Sequence, residues 1–174
     1  MKIEELYMLR LCKPEEAETD APILATLIQA MATDLGEYPE KEPLTDLLYS
    51  LLTTGFSEFI IAEVNEEPVG CIQMNYRLST LQTAPYAHLS DFYIQPEVRQ
   101  LGIGKSMLDY ACQRIEARGC KYVEMDVPPE DTKAVKLYQS MGFRSYSTLK
   151  IHTDLPRHGT CKGHAHDNME ETPA

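Results

Sequence analysis

The residues best suited to chemistry are Arg99-Gln100-Leu101-Gly102-Ile103-Gly104-Lys105, which follow the apolar run Phe92-Tyr93-Ile94. Two glycines one residue apart let the backbone turn sharply and come close to a ligand. Apolar residues at Ile103, Met107, Leu108, Ala111 and Ile115 then predict a helix. A helix that starts straight after such a turn offers N–H groups without partners and a partial positive charge, which suit phosphate oxygens. Two common phosphate loops are excluded. Gly-x-x-x-x-Gly-Lys-Ser would need glycine where Arg99 stands, and the dinucleotide fingerprint would need one at Met107.

A second stretch is Asp131-Thr132-Lys133-Ala134-Val135-Lys136-Leu137-Tyr138-Gln139-Ser140-Met141-Gly142-Phe143. Together with Arg99-x-x-Gly102-x-Gly104, and in this order, it resembles the paired signatures of the GNAT superfamily of acyl-CoA-dependent N-acetyltransferases. The second signature there is Asn-x-x-Ala-x-x-Leu-Tyr-x-x-x-Gly-Phe, and only Asp131 departs from it. The resemblance covers residues 2 to 152. It implies an α/β (α+β) fold with a mixed, mostly antiparallel central sheet, helices on both faces and a splay between the fourth and fifth strands.

Acetyl-CoA is the co-substrate that this resemblance implies. Its pantetheine arm would run along the backbone of Phe92, Tyr93 and Ile94. Its pyrophosphate would sit on the N–H groups of Gln100, Leu101, Gly102, Ile103, Gly104 and Lys105, with Arg99 or Lys105 lending charge. Asp131 and Lys133 would lie near its outer end, although Asp131 also suits a helix cap. Tyr138 matches the tyrosine beside the thioester sulfur, where an O–H can protonate the departing thiolate.

An attacking amine arrives as an ammonium and must lose a proton. Asp91 and then His88 are the candidates for taking it. Strand parity puts the two on opposite faces unless a bulge intervenes. The segment around them resembles diamine-type acetyltransferases, which carry Glu-Asp where this chain has Ser90-Asp91. Glu37, Tyr38 and Glu40 lie in the loop that lines the acceptor pocket in that family, and acidic and aromatic groups suit a cationic amine. The implied reaction is transfer of acetyl to a primary amine of a small cationic molecule by direct attack. Alternatives are a protein lysine or N-terminal amine as acceptor, and a non-catalytic acyl-CoA-binding module.

The elements that must position these residues follow from periodicity and breakers. A strand is expected over Lys2–Leu11, then a helix with Pro22 in its first turn and the stripe Leu24, Leu27, Ile28, Met31 and Leu35. A second helix carries Leu44, Leu47, Leu48 and Leu51 and stops at Gly55. Strands follow at Glu58–Val64 and Val69–Leu78 around an Asn65–Pro68 turn, and then at Tyr86–Gln95. After the glycine-loop helix, Gly119 is a C-terminal cap, and Lys121–Val127 is a strand. Asp131 caps a helix that Gly142-Phe143 ends, and Phe143–Ile151 is the last strand.

The 174 residues suit one domain, expected over 1–154, with a polar tail over 155–174. The formal net charge of −11 argues against a nucleic-acid partner. Five cysteines without Cys-x-x-Cys spacing suit reduced thiols in a cytoplasmic protein. No leader opens the chain and no apolar run approaches about 18 residues, so no membrane partner is expected. The expected partner is a small-molecule amine, and a homodimer stays open. His158, Cys161, His164 and His166 could chelate a metal in principle, but their tail lacks apolar support, and no metal site is assigned.

Overall fold

The computed structural model describes residues 7–146. The chain divides into two compact units, Met1–Leu137 and Tyr138–Ala174. The elements run β1 (Met8–Leu11), α1 (Ala17–Asp34), α2 (Lys41–Thr54), β2 (Ser57–Val64), β3 (Glu67–Ser79), β4 (Ala84–Ile94), α3 (Ile103–Ala117), β5 (Val123–Met125) and α4 (Thr132–Ser140). The five strands form one sheet in the order β1-β2-β3-β4-β5. Neighbours are antiparallel except for β4 and β5, which are parallel, with α3 as the crossover between them. This is the mixed, mostly antiparallel architecture that the sequence implies.

Alternation divides the sheet into two buried faces. Phe59, Ile61, Cys71 and Tyr93 join one cluster with Ala21, Leu24, Ala25, Leu27 and Ile28 of α1 and Leu48 and Leu52 of α2. The opposite face presents Ile60, Ile72, Met74 and Leu89, all buried, as are Ile103, Met107, Leu108, Ala111 and Ile115 of α3. The apolar spacing of α3 therefore becomes one stripe against β2, β3 and β4. Glu58 fastens the far end of that helix. It accepts hydrogen bonds from Arg114 Nε and Nη2 (2.9 and 2.8 Å), from Arg118 Nη2 (2.8 Å) and from the Tyr76 hydroxyl (2.7 Å). Burial works against its charge, but these donors outweigh it and hold the Glu58 carboxyl below the usual range.

Turns and caps follow the chain's own punctuation. Asn65 and Glu66 take positive φ (52° and 68°), the pair that a two-residue hairpin turn needs, so β3 starts at Glu67 rather than Val69. At the end of α3 the Gly119 N–H reaches Glu116 O and the Cys120 N–H reaches Ile115 O, which completes a Schellman cap. Among the described residues Cys12, Cys71, Cys112 and Cys120 are free thiols, and no helix is long and apolar enough to cross a membrane.

Several expected boundaries differ. Pro22 lies inside α1, because Pro14 opens a 3-10 turn at Pro14–Glu16 and the helix starts five residues before Pro22. The missing N–H of Pro22 forfeits a bond to Glu18, which burial of Ala17, Ala21, Leu24 and Ala25 outweighs. β5 is three residues rather than the expected seven. Residues 143–146 are not in a strand, and the rest of the expected last strand lies outside the described residues. The start of the expected first strand, the 154/155 boundary and the His158–His166 set lie outside them as well.

Candidate active site

The parallel β4–β5 pairing has three rungs, Ala87↔Val123, His88↔Glu124 and Leu89↔Met125. At its closed end the Tyr86 and Tyr122 rings stack with centroids 4.7 Å apart, and Lys121 and Ala87 donate to Pro85 O and Tyr122 O. Beyond Leu89, β4 continues through Ile94 with no β5 partner. The Gln95 N–H donates to Val69 O of β3, so by antiparallel alternation the N–H and C=O of Ile94 face the open edge. That edge is where an extended arm can add as a strand. Arg99 currently meets it: its Nε donates to Ile94 O (2.8 Å), and its Nη2 lies 3.6 Å from Asp34. The expectation that Arg99 lends charge to a pyrophosphate therefore starts from a guanidinium turned onto the strand.

Past the open edge comes the glycine loop. Gln100 and Gly102 take positive φ (68° and 83°), which turns the chain into α3. Gly102 is the N-cap and no side chain caps the helix, so the N–H groups of Ile103, Gly104 and Lys105 have no intrahelical partner. A Cβ on Gly104 would lie 3.5 Å from Phe92 Cζ, so the loop packs directly on β4. Lys105 and Lys133 are exposed. The helix end, its dipole and the Lys105 ammonium together form a site that suits a phosphate group.

The strand beside the notch contains the bulge that parity reasoning left open. Cys71 pairs with Tyr93 and Gln73 with Ser90, so Ile72 faces two residues, Asp91 and Phe92. Asp91 takes the left-handed conformation (φ 46°), which Asp tolerates better than most residues. Alternation therefore breaks after Ser90, and the rule that set His88 and Asp91 on opposite faces stops there. Cys71 Sγ donates to Asp91 O at 3.5 Å. No hydrogen bond or ion pair reaches the Asp91 carboxylate among the described residues. Burial alone pushes its carboxyl above the usual range. His88 lies nearby in sequence, its Nε2 3.4 Å from Oδ2 of the exposed Asp126.

Sequence reasoning did not anticipate what surrounds the bulge. Ser57 Oγ donates to Asn75 Oδ1 (2.7 Å), Asn75 Nδ2 to Ser90 Oγ (2.8 Å), Ser90 Oγ to Gln73 Oε1 (2.7 Å), and Gln73 Nε2 to Ser57 Oγ (3.3 Å). The four side chains close a ring across β2, β3 and β4. The signal was present as Gln73 and Asn75 alternating with Ile72 and Met74, two polar residues on a face whose other members are apolar. Asp126 was missed as well, having no motif around it.

In the second signature, Asp131 Oδ1 accepts from the Ala134 N–H (3.0 Å), so Asp131 is the N-cap of α4. At the other end Gly142 takes φ 89°, its N–H reaches Gln139 O, and the Phe143 N–H reaches Tyr138 O. The rings of Tyr138 and Phe143 lie 5.8 Å apart, the apolar contact that accompanies this cap. The pattern Tyr-x-x-x-Gly-Phe is thus a complete helix stop, and Tyr138 is buried. Glu37 and Tyr38 are exposed in the α1–α2 loop, Tyr38 at 79%.

A parallel strand pair that parts after three rungs, a glycine turn at an uncapped helix and a half-buried carboxyl on a bulge are the features of an acyltransferase-like α/β fold. The chain belongs to the acetyltransferase (GNAT) family, whose model matches residues 24–143. Acetyl-CoA is the co-substrate of that family. An uncharacterized N-acetyltransferase of Methanocaldococcus jannaschii is 28% identical over 93 residues, covering 53% of this chain and 41% of the relative. The chain thus spans less than half of that relative. A thialysine N-epsilon-acetyltransferase of Sus scrofa is 29% identical over 133 residues, 67% of this chain and 76% of the relative. Among solved structures, an aminoglycoside acetyltransferase from an uncultured soil metagenomic sample, in complex with sisomicin, superposes with a TM-score of 0.75 at 16% identity. It covers 89% of this chain and 100% of its own. A predicted acetyltransferase with acetyl-CoA from Clostridium acetobutylicum gives 0.68 at 17%, covering 84% and 96%. At these identities the two structures share the fold.

Proposed function

We propose that the chain transfers the acetyl group of acetyl-CoA to a primary amine of a small cationic molecule by direct attack. The observation that carries this reading is the Asp91 carboxyl, half-buried on a bulge, with no partner on its carboxylate among the described residues and a pKa raised by burial. A carboxylate made more basic in this way is suited to take a proton from an incoming ammonium. The relatedness to a thialysine acetyltransferase supports a small amine as acceptor.

In this reaction the acceptor nitrogen bonds to the acetyl carbon and the carbon–sulfur bond breaks. The ammonium gives one proton to Asp91, which passes it to solvent. The leaving sulfur takes a proton from the Tyr138 hydroxyl, a role assigned through the signature around that residue. The second proton shed by nitrogen restores the tyrosine through water. Phe92 and Ile94 offer backbone groups to the pantetheine arm, and the N–H groups of residues 100–105 hold the pyrophosphate. His88, with Asp126, is the second candidate for the proton.

The test is thiol release from acetyl-CoA with a panel of thialysine, sisomicin and a lysine-containing peptide. Turnover of the small amines is expected, and Asp91→Asn should lower kcat/KM for the amine by about 100-fold near neutral pH. Turnover of the peptide alone would replace the small-molecule reading with protein acetylation. Tight acetyl-CoA binding without turnover of any amine would mark a binding module.

A further inference from the structure

We propose that the ring formed by Ser57, Asn75, Ser90 and Gln73 is the device that holds the β4 bulge and aims Asp91, with Ser90 and Gln73 as positioning residues. This rests on the proposed role of Asp91 and adds the groups through which that role is exerted.

The bulge needs an anchor on each side, because a non-glycine residue at φ 46° is held against its own preference. On the C-terminal side the anchor is close packing. A Cβ on Gly70 would come within 2.6 Å of Tyr93 O and 2.7 Å of Ile94 Cδ1, so β4 lies against β3 where only glycine fits. Cys71 Sγ adds its hydrogen bond to Asp91 O from the same strand. On the N-terminal side Ser90 is the last residue in register before Ile72 faces two partners. Its hydroxyl donates to Gln73 and accepts from Asn75. Both bonds lead to β3, the strand against which the bulge is defined.

The ring is closed and one-directional. Each hydroxyl donates once and accepts once within the ring, as each amide does, and Asn75 Nδ2 also donates to His88 O of β4 (3.4 Å), a second tie between the two strands. Gln73 and Ser57 are buried, at 7% and 4% exposure, where an unpaired amide or hydroxyl would be costly. A one-place slip of β4 would break the two bonds that Ser90 makes. The ring therefore fixes register up to Ser90, Gly70 fixes it from Tyr93, and the extra residue can only be accommodated at Asp91 and Phe92.

The ring also supplies its own control. Ser57 belongs to β2, and its hydroxyl bonds Asn75 and Gln73 rather than Ser90. Ser57→Ala removes two ring bonds, as Ser90→Ala does, yet leaves both bonds between Ser90 and β3. Both variants should lose comparable thermal stability. Only Ser90→Ala should lower kcat with thialysine, by about tenfold, with the KM for acetyl-CoA unchanged and Ser90→Thr restoring the rate. Gln73→Met, which keeps side-chain length, should behave as Ser90→Ala does.

Because Ser90 acts through Asp91, Ser90→Ala should add nothing to Asp91→Asn. A multiplicative loss in the double variant, or equal kcat losses for Ser57→Ala and Ser90→Ala, would overturn the proposal. Carbon-13 NMR of labelled aspartate in the full chain reads the aim without any acceptor. The Asp91 carboxyl, assigned by its loss in Asp91→Asn, should change its titration midpoint in Ser90→Ala and not in Ser57→Ala. An unmoved midpoint overturns the positioning role. A moved midpoint in a chain whose Asp91→Asn variant turns over normally keeps the positioning role and removes Asp91 from the chemistry.

Discussion

Gly70 is the residue whose replacement tests the geometry of the open edge most directly. An added Cβ would stand 2.6 Å from Tyr93 O, and real Cβ atoms do not approach closer than 3.0 Å, so the strand backbone must retreat by at least 0.4 Å. The second clash, at 2.7 Å from Ile94 Cδ1, falls on a flexible tip, but the first falls on main chain held in a ladder. Overpacking of this kind costs about 1–3 kcal/mol. Alanine's gain over glycine in a strand interior returns about 0.5–1 kcal/mol of it. A net loss of about 1–2 kcal/mol lowers Tm by about 2–8 °C in a chain of this size. Since the displaced atoms belong to Tyr93 and Ile94, acetyl-CoA affinity should fall alongside Tm. Differential scanning calorimetry and isothermal titration on Gly70→Ala measure the two quantities. Gly104→Ala is the comparison, because its Cβ would meet Phe92 at an ordinary 3.5 Å. A Gly70→Ala protein that melts and binds acetyl-CoA as the parent does would refute this account of β3 against β4.

Gly104→Val adds branches beyond a Cβ that would already lie 3.5 Å from Phe92 Cζ and 4.0 Å from Ile94 Cγ1, so it should press the loop off β4, lowering Tm and weakening acetyl-CoA binding by about tenfold or more, as calorimetry will show. Tyr138→Phe keeps the ring contact with Phe143 and removes only the O–H, so kcat should fall about tenfold at unchanged KM for acetyl-CoA in steady-state assays. Asp91→Asn should raise Tm at neutral pH. The native carboxyl is held above its unfolded value, so the unfolded chain releases its proton first and stability falls as pH rises through that interval. Melting curves of the two proteins should therefore converge below about pH 4 and stay apart above it, and a lower Tm for Asp91→Asn at pH 7 would contradict the burial argument.

The helix ends were legible because the chain marks them with residues that have few other uses. Gly55, Gly119 and Gly142 all take positive φ where the helices stop, and Asp131 caps where it was expected. The glycine loop was legible for the same reason. Pro22 misled because a proline tolerated by burial looks like a proline at a helix start. The bulge at Asp91 was invisible locally, since Leu89-Ser90-Asp91-Phe92-Tyr93 has no glycine and alternates acceptably. Its cause lies across the ladder, in Gly70 and in the polar pair Gln73 and Asn75. Such a cause is a tertiary fact that no window along β4 contains. Arg99 was read for its charge, and its hydrogen bond to Ile94 O depends on a chain reversal that sequence spacing does not specify.

The three-rung pairing of β4 with β5 has a consequence for how the molecule opens. β2, β3 and β4 form a meander of local hairpins, with eight or more paired residues along each ladder. β5 instead joins through a whole helix, by three pairs at one end. Loop closure over that distance comes late in folding, and little contact holds it once made. Amide exchange should therefore be fastest along β5 and slowest in β3, with opening of the β4–β5 edge occurring far below the free energy of global unfolding. The edge that would receive the acyl carrier thus belongs to the most readily released part of the sheet, while the strand that carries Asp91 is shared with the most persistent part.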